Sequence, residues 1–141
     1  MTETTSTLFN RLRSRKSGEA VLHRTHPVPT CARILQELLA HTGISASEWI
    51  TRAVISKSYG YQILRGERIP GRDILLRTAF ALGLSLKETQ RLLAVGDCGA
   101  LYPKVRRDAA VIFALNQKMS LLEVEELLSS LPERSLFDKE N

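Results

Sequence analysis

The chain has only two cysteines, Cys31 and Cys98, and neither stands at a metal-ligand spacing from another Cys or from a His. That pattern excludes a disulfide framework and a zinc site and reads as ordinary thiols of a reducing cytosol. No apolar run approaches the ~18–20 residues that span a bilayer. The first twenty residues, MTETTSTLFNRLRSRKSGEA, carry charges where a secretory signal needs an apolar stretch. A soluble, cytoplasmic protein is expected. Strand-like alternation is also missing: from Thr30 onward the apolar residues recur at helical spacing, which predicts an all-α fold. There is no Gly-rich phosphate loop, no nucleophile elbow and no carboxylate pair in apolar surroundings, and His23, His26 and His41 share no metal spacing. No catalytic residue, cofactor or metal is therefore expected, and the chain does not read as an enzyme.

What is present is a chain of 141 residues with 43% hydrophobic and 25% charged residues, enough for one core and thin for two. Its net charge of +5 is unevenly spread: residues 1–29 and 30–83 each carry +3, and residues 84–141 carry −1. An anionic partner would meet the first two thirds. Residues 1–29 are polar and end in His26-Pro27-Val28-Pro29, and they read as a flexible basic arm, with Arg11, Arg13, Arg15, Lys16 and Arg24 and a short helix at Thr7–Arg13. The core domain is expected over 30–95, a helical extension on the same core over 96–131, and a tail over 132–141.

A Ser followed three residues later by Glu starts a helix, because each side chain satisfies the other residue's unpaired backbone N–H. Ser45 with Glu48, Ser85 with Glu88 and Ser120 with Glu123 are such starts. The last two open the similar segments SLKETQRLL and SLLEVEELL, 35 residues apart, which read as two well-capped amphipathic helices rather than as a repeat array. Helices are predicted at Cys31–His41, Ala46–Ala53, Lys57–Arg65, Arg72–Leu82, Leu86–Val95, from after Pro103 to Asn116, and Leu121–Leu131. Arg72 beside Arg68 fits a phosphate contact, and Asp108 among Lys104, Arg106 and Arg107 suggests surface pairing.

Chemistry concentrates in the short helix at Lys57–Arg65, joined to its predecessor by only Val54 to Ser56. Gly60, Ile63 and Leu64 share one face of it. Ser58, Tyr61, Gln62 and Arg65 form the opposite stripe, flanked by Lys57 and Tyr59. Hydroxyl, phenol, amide and guanidinium are groups that hydrogen-bond base edges or phosphates, and the stripe has no acid.

The segment GISASEWITRAVISKSYGYQILRGERIP, Gly43 to Pro70, resembles the phage-repressor-like (Xre/Cro) helix-turn-helix family in its length and in its closing Gly and Pro, and the next helix, ending in LGLS, is similar too. The resemblance implies a five-helix repressor-like helix-turn-helix domain, here extended by C-terminal helices. It implies a bacterial-type transcriptional regulator that lays Lys57–Arg65 in the major groove of double-stranded DNA. Lys57, Ser58, Tyr59 and Gln62 would touch bases, and Arg65 and Arg68 phosphates, with Tyr61 beside them positioning the backbone. Three positions depart from the family pattern. Ile50 stands where Ala is usual, opposite Gly60 where a bulkier aliphatic is usual, a swap that conserves packed volume. Val54 occupies a turn position usually held by Gly or Asn in a left-handed conformation, and Ala46 replaces a polar residue.

A competing reading is a protein-interaction module built on the same scaffold, in which the Tyr59–Tyr61 region and the apolar surplus of the last three predicted helices bind a partner chain. A homodimer is expected through Leu121–Leu131, because the leucines there cover more than one helical stripe. The plainer reading of that surplus is that it closes the core.

Overall fold

A computed structural model of the chain describes residues 30–137. The basic arm, its expected short helix and residues 138–141 lie outside the described residues. Among the described residues the regular structure is all helical: α1 (Cys31–Thr42), α2 (Ala46–Arg52), α3 (Lys57–Leu64), α4 (Arg72–Leu82), α5 (Leu86–Val95), α6 (Arg106–Asn116) and α7 (Leu121–Ser130).

The helix starts follow from local chemistry. Ser85 and Ser120 form complete capping boxes with Glu88 and Glu123. Ser45 accepts the Glu48 N–H, but the Glu48 carboxylate turns to Arg52 instead of returning to the Ser45 backbone. Two caps outside that pattern, Thr30 for α1 and Ser56 for α3, accept the backbone N–H groups of Arg33 and Tyr59. α6 begins at Arg106, after a turn over 102–105, rather than directly after Pro103.

One connected apolar core joins Ile34, Leu35, Trp49, Ile63, Leu75, Leu76, Leu92, Leu93, Val111, Val124 and Leu128. Trp49 is fully buried, and its indole N–H donates to the Thr78 hydroxyl at 2.9 Å, so the one polar atom of that ring is satisfied inside. Leu136 is also fully buried. The stretch expected to be a tail therefore contributes to the core as far as Leu136. Its backbone is fastened by side chains: Glu125 accepts the Leu136 N–H, Arg107 donates to the Arg134 and Ser135 carbonyls, and Arg77 donates to the Leu136 carbonyl.

The two similar segments are the second helices of two matching units, which corrects the reading of them as no more than two well-capped amphipathic helices. Residues 72–102 and 107–137 match at a spacing of 35. Arg72 pairs with Asp108 through two bonds of 3.0 Å, and Arg107 pairs with Asp73 through two bonds of 3.1 Å. Arg72 Nε and Nη2 donate to the carbonyls of Gly99 and Ala100, as Arg107 Nε and Nη2 do to those of Arg134 and Ser135. Gln90 accepts the Leu101 N–H as Glu125 accepts the Leu136 N–H, both at 2.8 Å. Gly83 and Lys118, which end the first helix of each unit, both take positive φ, at 65° and 57°. α4 packs on α7, and α5 correspondingly on α6. Exchanging each residue with its counterpart maps these contacts onto themselves, the property of an approximate twofold axis between two helical hairpins. Arg72 is therefore a structural ion pair and not a loop cation free for phosphate. Asp108 and Arg107 are buried rather than paired on the surface.

Candidate nucleic-acid interface

The α2–turn–α3 segment sits against α1 and α4. Ile50 and Ile55 are buried on the two sides of the turn, and the Ile55 N–H donates to the Ile50 carbonyl at 3.0 Å. This closure requires a left-handed residue between them, and Val54 adopts φ 55° with its side chain 61% exposed. For a β-branched residue that conformation is strained, by about 1–2 kcal/mol.

α3 approaches α2 closely because Gly60 lies against Ile50: a Cβ added at Gly60 would fall 2.5 Å from Ile50 Cγ1. The large residue on α2 and the absent side chain on α3 are thus complementary, as their exchange in the sequence implies.

With Gly60 and Ile63 buried and Tyr59, Tyr61 and Leu64 packed against the core, the side of α3 that carries Lys57, Ser58 and Gln62 is turned outward. Lys57 and Ser58 are exposed, and Tyr61 and Gln62 are half-buried beside them. Tyr59 and Tyr61 are both half-buried and pack against the core, which leaves Tyr61 at the inner edge of the stripe and not wholly outward. Arg65 caps the helix C-terminus, and Gly66 follows at φ 77°, so that the N–H groups of Glu67 and Arg68 both reach the Gln62 carbonyl. Arg68 is exposed. Arg65 is held by Glu67 through two bonds of 2.9 and 3.2 Å. The hydrogen bond each makes to the other raises the Arg65 pKa and lowers that of Glu67. The acid missing from the stripe itself thus stands just past its end. The site gathers Lys57, Ser58, Tyr61, Gln62, Arg65 and Arg68 along one helix and its following loop, and leaves Arg72 outside.

Sequence reasoning missed the residue that holds this element from behind. Arg77, nearly buried on α4, donates to the carbonyls of Ala53 (3.0 Å) and Val54 (3.4 Å), the two turn residues, and also to that of Leu136 (3.1 Å). Its guanidinium lies over the Phe137 ring at 4.5 Å from the centroid. Burial lowers its pKa, against the pull of Asp73, Glu125 and Tyr59. The signal was a lone Arg inside the apolar run Ile74-Leu75-Leu76-Arg77-Thr78-Ala79.

Among the described residues no group of three His, Cys, Asp or Glu could hold a metal ion, and no helix is long and apolar enough to cross a membrane. Cys31 and Cys98, distant in sequence, lie close enough to interact, and burial followed by the charge of Cys98 raises the Cys31 thiol pKa. Comparison with protein-family models, with curated proteins and with solved structures finds no match.

Proposed function

We propose that α2, the turn and α3 form a helix-turn-helix unit of the repressor-like kind, and that the chain is a sequence-specific regulator binding double-stranded DNA with α3 in the major groove. The observation that carries this reading is the outward surface of α3. It holds hydrogen-bonding groups without an acid, on a short helix whose opposite side is locked to α2 at Gly60. Lys57, Ser58 and Gln62 read base edges, with Tyr59 at the margin, and Tyr61, Arg65 and Arg68 position the phosphate backbone. Arg65 exchanges Glu67 for phosphate on binding, so Glu67→Gln strengthens binding to all sequences alike. Such a unit reads only a few base pairs, so two copies on a palindromic site supply the specificity.

Selection of binding sites from random DNA by the purified full chain tests this. An enriched motif is expected, with Gln62→Ala costing ~1–3 kcal/mol and relaxing one position, and Arg68→Ala weakening all sequences and flattening the salt dependence. Selection without any enriched motif would sink the proposal. One observation favours a second reading, a protein-interaction module: Ile69, just past the stripe, is 79% exposed, an apolar group better suited to a protein than to phosphates. A stoichiometric protein partner that survives nuclease treatment and is lost on Tyr61→Ala would support that reading.

A further inference from the structure

The repeat exposes a surface that its own symmetry says should be covered. In the first hairpin, α1 packs on α5 and α4, and α2 packs on α4. Beneath them, Thr78 is fully buried against Trp49, Leu92 is fully buried, and Gly96 is buried. Their counterparts 35 residues on are Phe113, Leu127 and Leu131. Nothing in the described chain plays the part of α1 and α2 for them: Phe113 is 50% exposed, and Leu127 and Leu131 are half-buried. The uncovered face carries larger apolar side chains than the covered one, Phe for Thr and Leu for Gly, where exposure to water alone would favour polar residues.

We infer that this face of α6 and α7, centred on Phe113, is where a second copy of the chain docks about a twofold axis. Its charges suit self-pairing. α6 and α7 are consecutive antiparallel helices, so Arg106 at the start of α6 and Glu123 at the start of α7 mark opposite ends of the face. Arg106 is 65% exposed and already shares an ion pair of 2.6 Å with Glu133, and Glu123 also closes its own capping box. A twofold axis through Phe113 that crosses the two helices at right angles makes the copies antiparallel and sets the Arg106 end of one against the Glu123 end of the other, with the apolar centre meeting itself. The face shares Leu127 and Leu131 with the segment the leucine count suggests but is centred on Phe113 of α6. Leu122, the most exposed leucine of α7, lies on another side of that helix, and Val124 and Leu128 are spent on the core. This inference does not depend on DNA binding.

Sedimentation equilibrium of the full chain at micromolar concentration tests it. The mass of two chains is expected for the natural sequence and for Leu122→Glu. Phe113→Glu should weaken association about 30-fold or more, the effect of a central interface residue, with an unchanged thermal melt at concentrations low enough for both chains to be monomeric, since the ring faces away from the core. Ala109→Arg, one turn earlier on α6, provides a second disruption should Phe113→Glu fail to fold. The mass of a single chain for the natural sequence, or a dimer that both disrupting variants leave intact, overturns the inference.

Discussion

The α2–turn–α3 segment and the paired hairpins behind it are built to different tolerances. In the hairpins each feature occurs twice: two complete capping boxes, two left-handed helix ends, two bidentate Arg–Asp pairs and two carbonyl clasps. In the α2–turn–α3 segment each feature occurs once and involves a compromise. Val54 takes a conformation that β-branched residues avoid, Gly60 gives up helix propensity to admit Ile50, and the turn carbonyls rely on Arg77 reaching across from the first hairpin. The difference teaches that the outward element is held in place by the scaffold, and that its strain is retained because the surroundings over-determine it.

The largest effect should come from the scaffold's buried ion pair. Arg107→Met strands Asp73 in the interior, where its other neighbour, Arg134, stands 3.7 Å away, and should cost about 3–5 kcal/mol by chemical denaturation. Adding Asp73→Leu should recover most of that loss. If the single variant melted like the natural chain, the hairpins would not depend on their reciprocal pairs, and the contrast with the α2–turn–α3 segment would collapse.

Next in size is the contact between α2 and α3. Gly60→Ala should destabilise by about 1–3 kcal/mol through overpacking against Ile50. On an Ile50→Ala background the same change should turn favourable by up to about 1 kcal/mol, since Ala is the better helix former. Equal effects in both backgrounds would show that Ile50 yields freely. Val54→Gly should act in the opposite direction, stabilising by about 1 kcal/mol through release of the left-handed strain. A loss of stability there would mean that the turn is not strained.

The smallest effect near neutrality concerns acid. Burial raises the Asp108 pKa, but hydrogen bonds from Arg72 and the Tyr102 N–H, with the charges of Arg72 and Arg107, outweigh it and hold the carboxyl below its ordinary value. A carboxylate depressed in the folded state contributes stability that is complete above its unfolded pKa of about 4 and is lost as the pH falls through the lower folded value. The natural chain should therefore hold a constant margin over Asp108→Asn from neutrality down to about pH 4, and the two stabilities should converge below it. A margin that shrank already between neutrality and pH 5 would contradict this account.

Legibility in the sequence followed the range of the interactions. Ser85 with Glu88 and Ser120 with Glu123 could be read because a cap involves residues three apart, and the buried side of α3 could be read because helical spacing is local. The outward stripe was equally legible apart from Tyr61, which belongs to it by helical spacing yet packs against the core, a place that depends on what lies beside it. The repeat was half visible. Its capped helices were similar on inspection, but the Arg-Asp pairs that define it, at 72–73 and 107–108, looked like surface charges, because each arginine bonds the aspartate of the other unit and not its neighbour.

The sequence by itself determined that the regular structure of the described residues is all helical, the starts and ends of most helices, and the chemistry that α3 presents, since caps, turns and periodicity act within a few residues. Only the tertiary structure decided that Arg72 and Arg107 exchange partners 36 and 34 residues away, that Arg77 ties the turn to a carbonyl 59 residues on, and that Leu136 joins the core. The physical reason is that a buried polar group takes whichever partner the packing of apolar faces brings within about 3 Å, and that choice has no local pattern to betray it.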